Sequence, residues 1–441
     1  MSNVDSRVVR PCPRIGGVIR VPGDKSISHR AAMLTGLTSG GSTIERFLLS
    51  EDCLNTLRAV EELGASVNRT AAVVRIRGTG GVFTRPTGVL DLGNSGTGMR
   101  LLAGLLAGQR FASEMTGDAS LRSRPMRRIK EPLELMGAKV ELLGENGCAP
   151  MRISGGVLRG IEYELPVASA QVKSCILLAG LFADGKTTVI EPRPTRDHTE
   201  RMLKAAGIPL ECDGLRISLK GFGRAGPRFE GRKWTVPGDF SSAAFWMTAA
   251  ACREGSEVEI EGVGLNPRRT AFIGVLCRMG AEIEVIAECE KEWEPAGTVR
   301  VKGGRLNGTE VGGDEISNLI DELPLVGVAG ALAEGKTVIK DAGELRVKES
   351  DRIATMCAGL SALGVDVEEK PAGMIVRGAS RIRGGTEVDS HGDHRIAMAL
   401  AVLALFADTP VRIVNTACVS TSYPGFWDDL ERMVDGRMVN G

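Results

Sequence analysis

The sequence predicts a two-domain α/β protein built from six copies of one βαβαββ unit, three copies per domain. Three observations carry this. Apolar, helix-like stretches recur near residues 26 to 37, 95 to 108, 169 to 182, 241 to 251, 322 to 333 and 394 to 406. Each runs into a β-branched segment such as STIERFL, KTTVIEP, SEVEIEG or KTVIKDA, and then into an amphipathic stretch that ends on a glycine. Those glycines, Gly64, Gly137, Gly207, Gly280, Gly364 and Gly436, are spaced by 73, 70, 73, 84 and 72 residues. Self-similarity at such a period marks a repeat architecture and fixes which residues occupy equivalent places. A chain of 441 residues also exceeds what one hydrophobic core supports, so three repeats per domain is the natural division.

Within a repeat, the first helix is rich in Ala, Leu and Gly on nearly every side, which predicts burial all round, while the second is amphipathic. In LNTLRAVEELGA, Leu57, Val60 and Leu63 face inward, Arg58, Glu61 and Glu62 stay wet, and Gly64 offers a left-handed C-cap. Strands such as GASVNR, AAVVRIRG, GAKVELL and GAEIEVI follow the second helices. A near-duplicate marks the junctions: Val21-Pro22-Gly23-Asp24-Lys25-Ser26 recurs as Val236-Pro237-Gly238-Asp239-Phe240-Ser241. Pro-Gly before an Asp N-cap is turn chemistry, and its repetition suggests two crossings between domains. Domain one then spans 22–237. An N-terminal strand within 1–21 joins 238–441 in the second.

Composition excludes several classes. Charge is balanced, 55 basic against 55 acidic residues, without the basic excess of a nucleic-acid binder. Two tyrosines and four tryptophans leave few platforms for stacking bases. The cysteines (Cys12, Cys53, Cys148, Cys175, Cys212, Cys252, Cys277, Cys289, Cys357, Cys418) show no CxxC spacing and no paired histidines. That reads as reduced thiols of a cytoplasmic protein, not a zinc site or a disulfide frame. The start, MSNVDSRVVRPCPRIGG, lacks an apolar export core, and no apolar run reaches membrane-spanning length.

Every first helix opens on polar residues although its body is apolar: Lys25, Ser26 and Arg30; Asn94 and Ser95; Ser169 and Gln171; Asp239 and Ser241; Asp321 and Glu322; Asp393, His394 and Arg395. Helix starts offer unsatisfied N–H groups and the positive end of a dipole, worth about 0.3 to 1 kcal/mol for a nearby anion. Six of them, if pseudo-symmetric packing turns them toward one interdomain space, form an anion trap. The cations Lys25, Arg30, Arg124, Arg196, Lys348, Arg352 and Arg395 exceed what one phosphate requires. Guanidinium groups grip carboxylate and phosphate through paired hydrogen bonds, so the set implies substrates with several anionic groups. Taken singly, these residues have plainer readings: Ser26, Ser95 and Ser169 as N-caps, Asp321 and Glu349 as capping carboxylates, Arg124, Arg127 and Arg128 as a solvated basic face, His394 as a structural histidine. Their joint occurrence at equivalent repeat positions favours function. GNSGTG, residues 93 to 98, is by itself a weak glycine signal.

The motifs LGNSGTGMR, GDASLRSRPM, ASAQVKS, TRDHTE, ELRVKESDR and GDHRIAM lie in order along the whole chain. The chain resembles the 5-enolpyruvylshikimate-3-phosphate synthase family, in the class with Ala after Ser169. The resemblance implies an inside-out α/β barrel, the enolpyruvyl transferase fold, with substrates in the interdomain cleft. It implies that Lys25, Ser26, Arg30, Ser169, Ala170 (through its backbone), Gln171, Asp321 and Lys348 hold shikimate 3-phosphate, with Arg196 at its phosphate. Phosphoenolpyruvate falls to Lys25, Gly96, Arg124, Arg352 and Arg395, with Gln171 reaching both substrates and Asn94, Ser95 and His394 as secondary candidates. Glu349 is assigned to proton transfer at C3, Asp321 to the 5-hydroxyl and Lys25 to the departing phosphate. No metal or cofactor is implied; a monomer is. Two departures concern the phosphoenolpyruvate side: Thr421 stands where many relatives carry Lys, and Leu101 where Pro is frequent. Gly96 is kept, which predicts sensitivity to glyphosate.

Two rivals remain. The sister family, UDP-N-acetylglucosamine enolpyruvyl transferases, carries a reactive loop Cys where this chain reads GDASLRSRPM. A non-catalytic anion-binding repeat protein is the other.

Overall fold

The computed structural model describes residues 5–288 and 293–434; Gly436 and Cys289 lie outside them. Twelve helices of eight residues or more are present among the described residues. They are α1 (Lys25–Gly36), α2 (Glu51–Glu62), α3 (Gly96–Ala107), α4 (Arg127–Met136), α5 (Ala170–Gly180), α6 (His198–Ala205), α7 (Phe240–Ala251), α8 (Ala271–Met279), α9 (Leu323–Leu332), α10 (Arg352–Ala362), α11 (His394–Ala404) and α12 (Phe426–Val434). Odd-numbered helices are the apolar first helices of the six repeats and even-numbered ones the amphipathic second helices. The chain divides into two compact units, Gly23–Val236 and the described part of Met1–Pro22 with Pro237–Gly441.

Each inner helix is covered on all sides, as a helix without a polar face requires. Every residue of α7 is buried. In the unit Gly23–Val236, α3 packs on α1 and α5; in the other unit α7, α9 and α11 pack pairwise. On α2 the expected division holds, with Leu57, Val60 and Leu63 buried and Arg58, Glu61 and Glu62 exposed. The glycines closing the second helices have φ of 103° (Gly64), 110° (Gly137), 84° (Gly207), 106° (Gly280) and 82° (Gly364). A Cβ is strained in that region, so glycine is the residue that lets each chain leave its helix at once.

Among the described residues the strands form six small sheets. In a complete repeat the first strand lies parallel to the second, and the last two strands extend the sheet antiparallel. Thus Leu90–Asp91 runs parallel to Ala112–Thr116, which pairs antiparallel with Met151–Ser154, itself paired with Lys139–Leu142. Two repeats borrow their first strand from elsewhere in the chain. Lys233–Thr235 returns to lie parallel to Gly41–Glu45, with Lys233 opposite Thr43, and Gly16–Ile19 lies parallel to Glu257–Gly264. The N-terminal region forms two strands where one was expected. The other, Ser6–Val9, adds antiparallel to Val411–Val414 in a three-stranded sheet and takes the fourth-strand place in the last repeat. No helix among the described residues is long and apolar enough to cross a membrane.

Candidate active site

The unit Gly23–Val236 gathers the starts of α1, α3 and α5 by side-chain hydrogen bonds. Asp24 caps α1, its carboxylate accepting from the Ile27 N–H at 2.9 Å, so Ser26 is not the cap and sits half-buried one residue inside the helix. A cation in a helix's first turn opposes the dipole; Lys25 is held there by Asp52, 2.5 Å away in the first turn of α2. Ser95 caps α3, accepting from the Gly98 N–H at 2.9 Å, and Ser169 caps α5, accepting from the Val172 N–H at 3.4 Å. For these two serines the plain capping role is real.

His29 ties α1 to α2 and α3 through Thr56 at 2.7 Å and Ser95 at 3.2 Å. Burial pushes this imidazole well below its ordinary range, and repulsion from Lys25 and Arg30 adds to it. The unfolded chain takes up this proton near about pH 6.5 and the folded one does not, so His29 contributes stability above that pH which is lost as the pH falls below it. His29→Gln is expected to flatten the acid limb: denaturant titrations at about pH 5 and about pH 7.5 should show a smaller pH difference in the variant. Equal losses in both proteins would contradict this.

Arg30 is buried and braced. Its Nε donates to Thr199 Oγ1 at 2.7 Å, one terminal nitrogen to the Ser26 carbonyl at 2.8 Å and the other to Ser174 Oγ at 2.8 Å. The guanidinium therefore joins α1, α5 and α6. Arg124 leaves its basic run: Arg127 and Arg128 are exposed, whereas Arg124 is 5% exposed and donates to Asn94 Oδ1 at 2.5 Å, the Asn94 carbonyl at 3.1 Å and Ser120 Oγ at 2.9 Å. Asn94 in turn donates to Asp118 at 2.8 Å. Gln171 is oriented by Arg100, which donates to its Oε1 at 2.7 Å, and donates to Thr97 Oγ1 at 2.9 Å. Ala170 is the first residue of α5, and Arg196 is half-buried two residues before α6. A Cβ on Gly96 would stand 2.9 Å from an Arg100 terminal nitrogen and 3.3 Å from one of Arg124.

The other unit holds a carboxylate–guanidinium cluster at the starts of α9, α10 and α11. Arg352, 1% exposed, donates to Asp393 at 2.8 Å, to Glu349 at 2.6 Å and to Asp321 at 3.5 Å. Burial disfavours its charge, yet Asp393, Glu349 and Asp321 together hold it above the ordinary guanidinium value. Arg395 Nε lies 3.3 Å from Asp321 Oδ1, and the same guanidinium donates to the Asp321 carbonyl at 3.1 Å. Asp351, not Glu349, caps α10, accepting from the Ile353 and Ala354 N–H groups at 3.2 and 3.1 Å. Glu349 is thereby left to face a cation. Burial lowers the Lys348 ammonium, with Asp321 and Glu349 opposing and Arg352 adding to the shift. His394 is buried, its Nδ1 3.5 Å from Thr421 Oγ1.

Sequence reasoning missed two groups that shape the site, Asp52, which anchors Lys25, and Arg100, which orients Gln171; it named Asp393 as a helix opener but not as the bidentate partner of Arg352. Arg100 stood inside the quoted LGNSGTGMR motif, and Asp393 in GDHRIAM, so residence in a motif was the available signal. Among the described residues no group of three or more His, Cys, Asp or Glu is placed to hold a metal ion.

Comparison with known proteins places the chain in a family. The family model described as EPSP synthase (3-phosphoshikimate 1-carboxyvinyltransferase) matches residues 9–430. A 3-phosphoshikimate 1-carboxyvinyltransferase of Akkermansia muciniphila is 52% identical over 432 residues, covering 95% of this chain and 97% of that protein. One of Pelotomaculum thermopropionicum is 53% identical over 423 residues, with the same coverage of 95% and 97%. The solved EPSP synthase of Acinetobacter baumannii superposes with a TM-score of 0.84 at 45% identity, covering 97% of each chain. The enolpyruvyl transferase NikO of Streptomyces tendae shares the fold, with a TM-score of 0.80 at 18% identity and coverage of 97% and 96%. With the family model spanning nearly the whole chain and relatives at half identity or better, this chain belongs to the EPSP synthase (3-phosphoshikimate 1-carboxyvinyltransferase) family.

Proposed function

We propose that the residues of these two constellations serve the family's reaction, transfer of the enolpyruvyl group of phosphoenolpyruvate to the 5-hydroxyl of shikimate 3-phosphate with release of phosphate. The observation that carries this reading is that Glu349 and Asp321 share the Arg352 guanidinium, at 2.6 and 3.5 Å, with Arg395 beside Asp321. The enol carbon C2 becomes electrophilic only after C3 is protonated, so an acid must work among cations that hold the anionic donor. A bound anion that takes over Arg352 and Arg395 frees Glu349 and favours its protonated form. Glu349 then gives a proton to C3, the 5-hydroxyl attacks C2 as Asp321 accepts its proton, and a noncovalent tetrahedral intermediate forms. Glu349 removes a C3 proton as the C2–O bond to phosphate breaks, with Lys25 protonating the leaving phosphate. Ser26, Arg30, Ser169, Ala170, Gln171, Arg196 and Lys348 hold shikimate 3-phosphate; Lys25, Gly96, Arg124, Gln171, Arg352 and Arg395 hold phosphoenolpyruvate.

A phosphate-release assay tests the activity. Shikimate 3-phosphate with phosphoenolpyruvate is expected to release one phosphate per acceptor consumed, and UDP-N-acetylglucosamine to release none. Turnover with the nucleotide sugar alone would overturn the reading. We further take the protein to be cytoplasmic from its composition and monomeric from the family it resembles.

Glyphosate inhibition belongs to the same proposal. Gly96 leaves space beside Arg100 and Arg124, and a methyl group there must displace a guanidinium that also orients Gln171. Gly96→Ala is therefore expected to raise the glyphosate concentration for half-inhibition by about tenfold or more, and to raise KM for phosphoenolpyruvate. A wild-type enzyme uninhibited at millimolar glyphosate contradicts this.

A further inference from the structure

We propose that Lys173 is a positioning residue for shikimate 3-phosphate: with Glu191, Glu200 and Thr195 it fixes the segment carrying Arg196 against the helix carrying Ser169 and Gln171. Lys173 lies one turn inside α5 and its side chain is fully buried. Its ammonium meets Glu191 at 3.0 Å, just after the strand Lys186–Ile190, and Glu200 at 2.6 Å, in the first turn of α6. Both carboxylates are buried as well. Thr195 Oγ1 donates to the other oxygen of Glu191, so the residue before Arg196 is tied to the same node.

A second tie runs parallel to this one. Thr199 Oγ1 donates to Ser174 Oγ at 2.7 Å, and Arg30 reaches both hydroxyls at 2.7 and 2.8 Å. Segment 191–200 is thus fastened to α5 through adjacent residues, Lys173 and Ser174, on either side of Arg196's place in the chain. One ammonium between two carboxylates in a dry interior is no better for stability than a well-packed apolar cluster, but its geometry is far less forgiving. A segment held this way keeps the guanidinium of Arg196 at a fixed reach from Ser169 and Gln171. Positional precision of this kind governs how much of a charged hydrogen bond a ligand realises.

The inference rests on Arg196 holding the substrate phosphate, and steady-state kinetics on the full-length enzyme separate the two. Lys173→Met leaves two carboxylates buried without their cation, so Thr195→Val is the decisive variant: it removes only the hydroxyl tie and keeps the shape. Thr195→Val is expected to raise KM for shikimate 3-phosphate about tenfold. KM for phosphoenolpyruvate at saturating acceptor should stay unchanged, and so should the melting temperature to within a few degrees. In an Arg196→Ala background the same substitution should add nothing further, and Lys173→Arg, which keeps the charge, should retain most of the affinity. An unchanged KM in Thr195→Val, with Arg196→Ala impaired, overturns the positioning role alone. A normal KM in Arg196→Ala overturns both that role and the reading of Arg196. Full additivity of the two substitutions also contradicts the proposal.

Discussion

Replacing Glu349 by Gln is expected to lower kcat by about 10²–10⁴-fold while leaving the affinity for shikimate 3-phosphate nearly intact. The magnitude follows from the two proton transfers at C3 assigned to this one carboxyl group: the amide matches it in size and still accepts a hydrogen bond from Arg352, but it can neither give nor take the proton. Glu349 is half-buried, 2.6 Å from the guanidinium, and has no capping duty because Asp351 performs it. The substitution therefore removes chemistry and leaves the helix start undisturbed. Titration calorimetry with shikimate 3-phosphate and single-turnover measurement of phosphate formation check the two halves separately. Residual turnover near the wild-type rate moves the C3 proton transfer to another group, with Lys348 the first to examine.

Arg352→Met is expected to be the most destabilising single change in the candidate site. The methionine fills much of the volume but leaves Asp393, Glu349 and Asp321 without the cation that joins them, and Asp393 is fully buried. Removing one partner of a buried ion pair costs about 3–5 kcal/mol. At about 2–4 °C per kcal/mol for a domain of this size, that is roughly 6–20 °C of melting temperature. Since Arg352 also contacts both proposed catalytic carboxylates, phosphoenolpyruvate turnover should be lost even at temperatures where the variant is folded. Adding Asp393→Asn should recover part of the stability without recovering activity, because it removes the most deeply buried orphaned charge. A thermal melt within about 2 °C of wild type would show that the cluster relaxes or hydrates.

The repeat was legible because each copy carries the same local signals. Apolar first helices, amphipathic second helices and a terminal glycine are short-range features, and Gly64 through Gly364 adopt the left-handed φ that the pattern requires. What could not be read was pairing over long sequence separation. Nothing near Lys233 announces that it returns to Thr43, and nothing near Ser6 announces Val414; these contacts depend on how each unit closes. In the site, residue types and motifs were visible but their duties were not. Ser95 and Ser169 turned out to cap helices, while Ser26 and Glu349 do not, because Asp24 and Asp351 stand at the right offset to accept the free N–H groups. The partners of the cations, Asp52 for Lys25 and Asp393 for Arg352, belong to other helices and emerge only in three dimensions.

The central proposal is that Arg124 and Arg395 both hold phosphoenolpyruvate, and the KM for this substrate in two single variants tests it most directly. Arg124→Met and Arg395→Met each remove a charged contact worth about 1.5–3 kcal/mol, or roughly 10- to 150-fold in affinity. The KM for phosphoenolpyruvate at saturating shikimate 3-phosphate should rise by that factor in each variant. A wild-type KM in either one would mean that its arginine does not hold the donor, and the account would fail.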